Sequence, residues 1–273
     1  MLRLTVLCFL VFVLDAAAVE IIAHRGASHD APENTLASVK LGWNRNADAV
    51  EVDVYLSKDN QIVVIHDKNT KRTTGHDGLV HQMTLSQLQK LDAGSWMDSK
   101  FKRETIPSLA QVLKTIPDGK YLVIEVKCGP EIIGPLSELF QKTKIQAAKT
   151  AIISFSYDVV VAAKKQFPKR TVYYLASVKQ NKTNGRREPS VETLVKKARD
   201  AGLDGLSLGF KGAADDSVLL GYLQRMRKGT SSHKLGFYVW TVNDRRTAKI
   251  FTDVGVDGIT TDRPAFLRSI KDK

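Results

Sequence analysis

His24-Arg25-Gly26, the carboxylates Glu51 and Asp53, and His66-Asp67 all fall between residues 24 and 67, each at the end of an apolar run. Histidine titrates near neutrality, so two of them can divide the removal and delivery of a proton. Side chains alternate along a strand, so Glu51 and Asp53 face the same way, roughly 7 Å apart at Cα. Two such carboxylates repel unless a cation or a proton comes between them. Glu125 ends another apolar run, in Ile124-Glu125-Val126-Lys127. Three carboxylates without a cysteine or histidine ligand favour Mg2+ or Ca2+ over zinc. Arg25 offers a planar, permanently charged fork suited to phosphate oxygens. Its competing use is an ion pair with an acid such as Glu33. Together these are the parts of a metal-assisted phosphodiester-cleaving site. Asp67 is expected to orient His66 or cap the loop. His29, His76, His81 and His233 are expected on the surface without partners.

These groups need a frame. Short β-rich runs alternate with helical patterns from end to end. The strand candidates are Ile21–His24, Ala49–Val54, Tyr121–Lys127, Ala151–Phe155, Thr171–Leu175, Gly205–Leu208, Gly236–Val242 and Gly258–Thr261. Several are apolar on both faces, as parallel strands buried under helices are. The helical candidates are Asn34–Trp43 (Leu36, Val39 and Leu41 inward), Ser108–Thr115, Ile132–Lys142, Asp158–Gln166, Ser190–Ala201, Asp216–Arg227, Asp244–Val254 and Pro264–Ile270. Asp158, Ser190 and Asp244 are candidate N-caps. Eight βα units predict a closed (β/α)8 TIM barrel rather than an open sheet. No glycine-rich dinucleotide fingerprint follows any strand. Gln61–His66, after the turn residues Asp59-Asn60, reads as a return strand that folds His66 back beside Asp53. Asp67–Pro107 then reads as a small insertion after the second strand, standing over the catalytic end.

The 273-residue length suits one such barrel. Residues 1–18 carry Arg3, an apolar run from Leu4 to Leu14, and Ala16-Ala17-Ala18, the pattern of a cleaved signal peptide. Residues 19–273 would then be the barrel domain, secreted or periplasmic. Loss of the leader removes Arg3 and Asp15, so the formal charge stays at +12. Such a chain is drawn to polyanions, including an anionic membrane or wall surface. No aromatic-interleaved basic stretch or nucleic-acid motif is present, which argues against a nucleic-acid partner. Cys128 would be the one cysteine of the mature chain, a packing residue rather than a nucleophile. The basic stretch Lys179–Arg187 follows the fifth barrel strand and is expected on the catalytic face, either as solvated surface or as a device that attracts anions.

Ala23-His24-Arg25-Gly26, Pro32-Glu33-Asn34-Thr35, Glu51-Val52-Asp53-Val54 and Val63-Val64-Ile65-His66-Asp67 resemble, in order, the glycerophosphodiester phosphodiesterase family. The resemblance continues through Glu125-Val126-Lys127, Ile153-Ser154-Phe155, Trp240-Thr241-Val242-Asn243 and Asp257-Gly258-Ile259-Thr260-Thr261-Asp262-Arg263-Pro264. Asp67–Pro107 is the least family-like stretch. The resemblance implies a (β/α)8 barrel with a small insertion after the second strand. It implies one divalent cation, Ca2+ or Mg2+, on Glu51, Asp53 and Glu125, with His24 and His66 as the acid–base pair. It further implies Arg25 and Lys127 on the phosphate and Trp240 against the glycerol moiety of a glycerophosphodiester. Glu33-Asn34-Thr35 would brace the site, with Asn34 or Thr35 also capping the first helix. The products would be glycerol 3-phosphate and an alcohol, reached through attack by the glycerol 2-hydroxyl or by water directly. Two rivals share the scaffold. One is a lysophospholipase D or phosphatidylinositol-type phospholipase, which calls for an apolar surface, and no long apolar loop is present. The other is a silent glycerophosphodiester-binding protein, which should lack a histidine or a metal carboxylate.

Overall fold

The computed structural model describes residues 19–210 and 217–271. The expected leader, residues 1–18, lies outside the described residues. The strands are β1 (Glu20–Ala23), β2 (Ala49–Leu56), β3 (Ile62–Val64), β4 (Tyr121–Val126), β5 (Thr150–Ser154), β6 (Thr171–Gln180), β7 (Arg187–Glu188), β8 (Gly205–Phe210), β9 (Gly236–Trp240) and β10 (Gly258–Thr261). Eight of them pair in parallel in the order β1, β2, β4, β5, β6, β8, β9, β10, and β10 returns to β1. This is the expected closed (β/α)8 barrel. The α-helices are α1 (Leu36–Asn44), α2 (Lys71–Thr74), α3 (Leu85–Leu88), α4 (Leu109–Leu113), α5 (Ile133–Thr143), α6 (Tyr157–Gln166), α7 (Val191–Asp200), α8 (Ser217–Ser232), α9 (Arg245–Val254) and α10 (Pro264–Lys271), with four short 3-10 turns besides among the described residues.

The period of two along each strand sorts the residues. Val50, Val52, Val54, Leu122, Ile124 and Val126 join the large core under the helices. Their alternates Ala49, Val123, Ala151 and Ile153 fill the barrel interior with Ile22, Leu175 and Tyr238. Glu51, Asp53 and Glu125 share the parity of that interior set, at the C-terminal ends of β2 and β4, so they cap the apolar plug. At the other end the Tyr121 and Tyr238 hydroxyls donate to Glu20 Oε2 at 2.6 and 3.0 Å, and Tyr173 stacks on Tyr238. The barrel is therefore sealed at its N-terminal end, and the polar mouth is at its C-terminal end.

β3 turns back antiparallel to β2 through Asn60, whose φ is +55°. Val64 lies opposite Val54, and Ile65 N–H donates to the Asp53 carbonyl at 3.0 Å. The insertion after β3 holds α2 and α3, and buries Val80, Leu88, Ala93 and Ile106 against Val63 and Ile65 in a small core of its own.

Three local expectations need correction. The buried stripe of α1 is Ser38, Val39 and Gly42, with Leu41 half-exposed. Gly42 lets the helix press onto β2, because a Cβ there would come within 2.9 Å of Val50 Cγ2. Ser156 caps α6, and Asp158 sits inside its first turn. Ser190 and Asp244 do cap α7 and α9. Asp216, the expected start of α8, lies outside the described residues. Finally, β6 runs on to Gln180 and pairs with β7, so Lys179–Arg187 forms a hairpin and Arg187 is buried.

Candidate active site

The first loop of the barrel is shaped by backbone that few residues tolerate. Arg25, Gly26 and Asn34 all have positive φ. At Gly26 (φ +84°) a Cβ would fall 2.3 Å from the Ser38 carbonyl carbon, so only glycine fits. This tight path lets Arg25 N–H donate to Glu51 Oε2 at 2.9 Å. Asn34 then clamps Asp53: its Nδ2 donates to Asp53 Oδ2 at 2.8 Å, and its Oδ1 accepts from Asp53 N–H at 3.1 Å. Thr35 caps α1, with Oγ1 accepting from Ser38 N–H.

Glu51, Asp53 and Glu125 converge, with one oxygen from each within 4.8 Å of the others. They are 2%, 0% and 8% exposed. Glu51 Oε1 and Asp53 Oδ1 are buried with no hydrogen-bond partner. Acceptor-only atoms gathered in this way suit a hard cation with oxygen ligands. The electrostatics agree. Burial, then the charges of Asp53 and Glu125, push the Glu51 carboxyl well above the usual range. Glu125 is raised by burial and Asp53 against the pull of Lys127. Asp53 goes the other way: burial raises it, but Arg25, Lys127, His66 and the Asn34 amide together hold it below its ordinary value.

Each site histidine is anchored through Nδ1, which leaves Nε2 for chemistry. His24 Nδ1 lies 2.7 Å from Asp262 Oδ1, which also accepts from Ser28 Oγ at 3.0 Å. Asn243 Nδ2 donates to Asp262 Oδ2 at 2.5 Å, while Asn243 Oδ1 accepts from Asp262 N–H and Thr261 Oγ1, both at 2.9 Å. Burial works against the Asp262 anion, but His24, Asn243 and Ser28 hold its carboxyl down to about 2. His66 Nδ1 lies 2.7 Å from Asp67 Oδ1, and Arg72 ties Asp67 to Glu33 by donating to both. Burial, aided by Arg25 and Lys127, pushes His66 below the ordinary histidine range against the pull of Asp53 and Asp67.

Arg25 makes the ion pair weighed against its phosphate role, with Nη1 3.0 Å from Glu33 Oε1, and its Nε lies 3.2 Å from Asp53 Oδ2. Lys127 Nζ sits 2.7 Å from Glu125 Oε1 and 3.5 Å from Asp53 Oδ1. Burial disfavours its charge, but Glu125 and Asp53 outweigh that and raise its pKa. Trp240 packs edge-on against Phe155, with ring centroids 5.5 Å apart.

The structure thus brings His24, Arg25, Glu51, Asp53, His66, Glu125 and Lys127 into one connected cluster, with Trp240 joined to it through Phe155, whose ring centroid lies 5.9 Å from Lys127 Nζ. Asp262, Arg72 and Phe155 complete the surroundings, and reading the sequence assigned them no role. Asp262 stands 238 positions from its histidine, a separation that no local pattern bridges. His29, expected without a partner, pairs with Asp30 at 2.8 Å. Burial pushes the Cys128 thiol up to about 11, in keeping with a packing role.

Residues 24–266 match the model of the glycerophosphoryl diester phosphodiesterase family. The chain is similar to YhdW of Bacillus subtilis, 39% identical over 256 residues that cover 92% of this chain and 97% of that one. It is also similar to a glycerophosphodiester phosphodiesterase of Caldanaerobacter subterraneus, 31% identical over 252 residues, covering 90% and 95%. Among solved structures it resembles an Oleispira antarctica phosphodiesterase in complex with the product sn-glycerol-3-phosphate, with a TM-score of 0.79 and 29% identity over 93% of this chain and 97% of that one.

Proposed function

Because the chain belongs to the glycerophosphoryl diester phosphodiesterase family, we propose that it hydrolyses glycerophosphodiesters to glycerol 3-phosphate and an alcohol. The observation that carries this reading is the meeting of three buried carboxylates with two histidines, each held through Nδ1 by its own aspartate. The product held by the Oleispira antarctica phosphodiesterase is the one expected here.

Glu51, Asp53 and Glu125 would hold one divalent cation, Ca2+ or Mg2+, which when bound neutralises charge on the phosphodiester. The remaining work falls to the chain's own groups. With Nη1 on Glu33 and Nε on Asp53, Arg25 keeps Nη2 to donate to a phosphate oxygen. Lys127 adds positive charge beside the carboxylates and toward the same phosphate. One histidine takes the proton of the attacking oxygen, the glycerol 2-hydroxyl or water. The other delivers a proton to the oxygen of the leaving alcohol. Asp262 and Asp67 fix the tautomer of each ring and stabilise the imidazolium when it forms. Trp240 and Phe155 present an aromatic corner to the glycerol carbons. On the leader-like pattern of residues 1–18 and the charge of +12, the reading extends to a mature protein that is secreted or periplasmic. It would work beside an anionic membrane or wall surface.

The test is release of glycerol 3-phosphate from a panel of glycerophosphodiesters by the purified protein, in EDTA and after Ca2+ or Mg2+ is restored. Turnover that appears only with the cation, and is lost in His24→Ala and His66→Ala, is expected. Full activity after exhaustive chelation sinks the metal assignment, and near-normal rates in both histidine variants sink the acid–base assignment.

A further inference from the structure

The first residues of the insertion wall a cleft beside His66. It measures about 600 Å3, and Tyr55 of β2 and Lys127 beyond β4 complete it. Its charged lining is Lys68, Lys71, Arg72 and Lys127, with Asp67 as the one acid. Arg72 is engaged by Glu33 and Asp67. Lys71 pairs with Asp77 at 3.0 Å, but both side chains are about two-thirds exposed (67% and 63%), and an exposed pair of this kind holds weakly. Lys68 is exposed, and its ammonium has no ion pair among the described residues. A second depression of about 520 Å3 shares Tyr55 and Lys68 with the first and continues to Lys58 and His81. Its one acid, Glu131, is turned to the Gly129 N–H. The path leading away from His66 is therefore positive along its length. The other wall of the site, Trp240 and Phe155, is aromatic, and Lys127 stands between the two.

A diester whose phosphate reached both histidines would have room for one arm against the aromatic corner and the other in this basic cleft. The glycerol arm carries no charge of its own. We propose that the cleft receives the leaving alcohol and selects one bearing its own anionic group, a phosphate or a carboxylate, over one bearing a cation. The inference rests on the hydrolytic reading above and adds the class of leaving alcohol. Its recognising residues are Lys68 and Lys71, which take no part in the proposed chemistry.

Three diesters whose leaving alcohols differ in charge test it: glycerophosphoethanolamine, glycerophosphoglycerol, and glycerophosphoglycerol carrying a terminal phosphate. At low salt kcat/KM should be highest for the last and lowest for the first, with about a tenfold spread, the scale of two exposed charge pairs. The spread should narrow as salt shortens the screening length. The double variant Lys68→Glu with Lys71→Glu should reverse the order while leaving kcat on glycerophosphoglycerol unchanged. Equal kcat/KM for all three diesters, or an order unchanged in the variant, overturns the proposal. Calorimetric titration of the same three diesters into both proteins reads the cleft without catalysis. Charge-ordered binding that reverses in the variant supports the cleft even if no diester is cleaved, and that result would count against the hydrolytic reading alone. Binding that ignores charge in both proteins overturns the cleft.

Discussion

Glu51 faces opposing demands. Without a cation its burial beside Asp53 and Glu125 favours the protonated form. A carboxyl whose pKa is raised on folding contributes stability that is complete below its ordinary value and is lost as pH rises through the folded value. The protein in EDTA should therefore melt at lower temperature as pH climbs above about 4.3, and Glu51→Gln should flatten that slope. Above the folded value the glutamine variant should melt higher than the parent, yet turn over about 10³-fold more slowly, since a metal ligand is lost. A cation replaces the proton, so its affinity should strengthen with pH over the same range. Melting curves in EDTA and calorimetric metal titrations at several pH values check both, and a variant whose slope matches the parent's refutes the account. In the proposed mechanism Asp262 would act through His24, whose Nδ1 it holds. Asp262→Ala should lower kcat by about 10²-fold, the scale of one general acid–base contribution, and leave KM near its parent value. Its carboxyl is held down to about 2, so the stability it contributes is complete above its ordinary value and fades as pH falls toward 2. The melting difference between Asp262→Ala and the parent should therefore be largest at neutral pH and shrink in acid. A rise in KM with kcat unchanged would mean that Asp262 serves binding rather than the orientation of His24.

At the scale of elements, the barrel strands that carry candidate site residues present them by parity and length, and a neighbouring strand decides whether such a group has room. β8 passes beneath Trp240 at Gly209, where an added Cβ would lie 2.5 Å from the indole Cη2. Gly209→Ala should displace the indole and raise KM for glycerophosphodiesters about tenfold, with far-ultraviolet dichroism unchanged, because a buried contact worth 1–2 kcal/mol is lost from the binding wall. An unchanged KM would remove Trp240 from the glycerol site. The β6–β7 hairpin shows the same dependence on a neighbour. Thr171–Leu175 is the β-rich core of its strand, while Ala176, Ser177 and Val178 extend it along β8 and Lys179 and Gln180 pair with β7.

At the scale of the whole molecule, the charge of +12 is carried partly on the face that holds the site. Lys179, Lys182 and Arg186 are exposed on the hairpin at the C-terminal end of β6, whereas Arg187 is buried and serves the fold. Long-range attraction of an anionic substrate is screened beyond roughly 8 Å at physiological salt. Replacing Lys179, Lys182 and Arg186 with glutamine should flatten the salt dependence of kcat/KM, for soluble and vesicle-bound substrates alike, and leave kcat unchanged. The same salt dependence in the variant and the parent would make the hairpin ordinary solvated surface.

The grouping of the candidate residues and the frame were legible in the amino-acid sequence because both are written locally. A strand repeats every two residues, so Glu51-x-Asp53 announces two carboxylates on one side, and Asp59-Asn60 announces the turn that carries His66 back to them. Alternation of β-rich and helical runs, eight times over, leaves few architectures other than a closed barrel. Folding decided what depends on distant partners. Barrel closure sets β10 beside β1, and only then does Asp262 meet His24 and draw in Asn243 and Ser28. The insertion likewise sets Arg72 between Asp67 and Glu33. Composition marks Arg187 as one cation among 41. Packing alone put it in the interior, since burial of a charge is decided by what surrounds it.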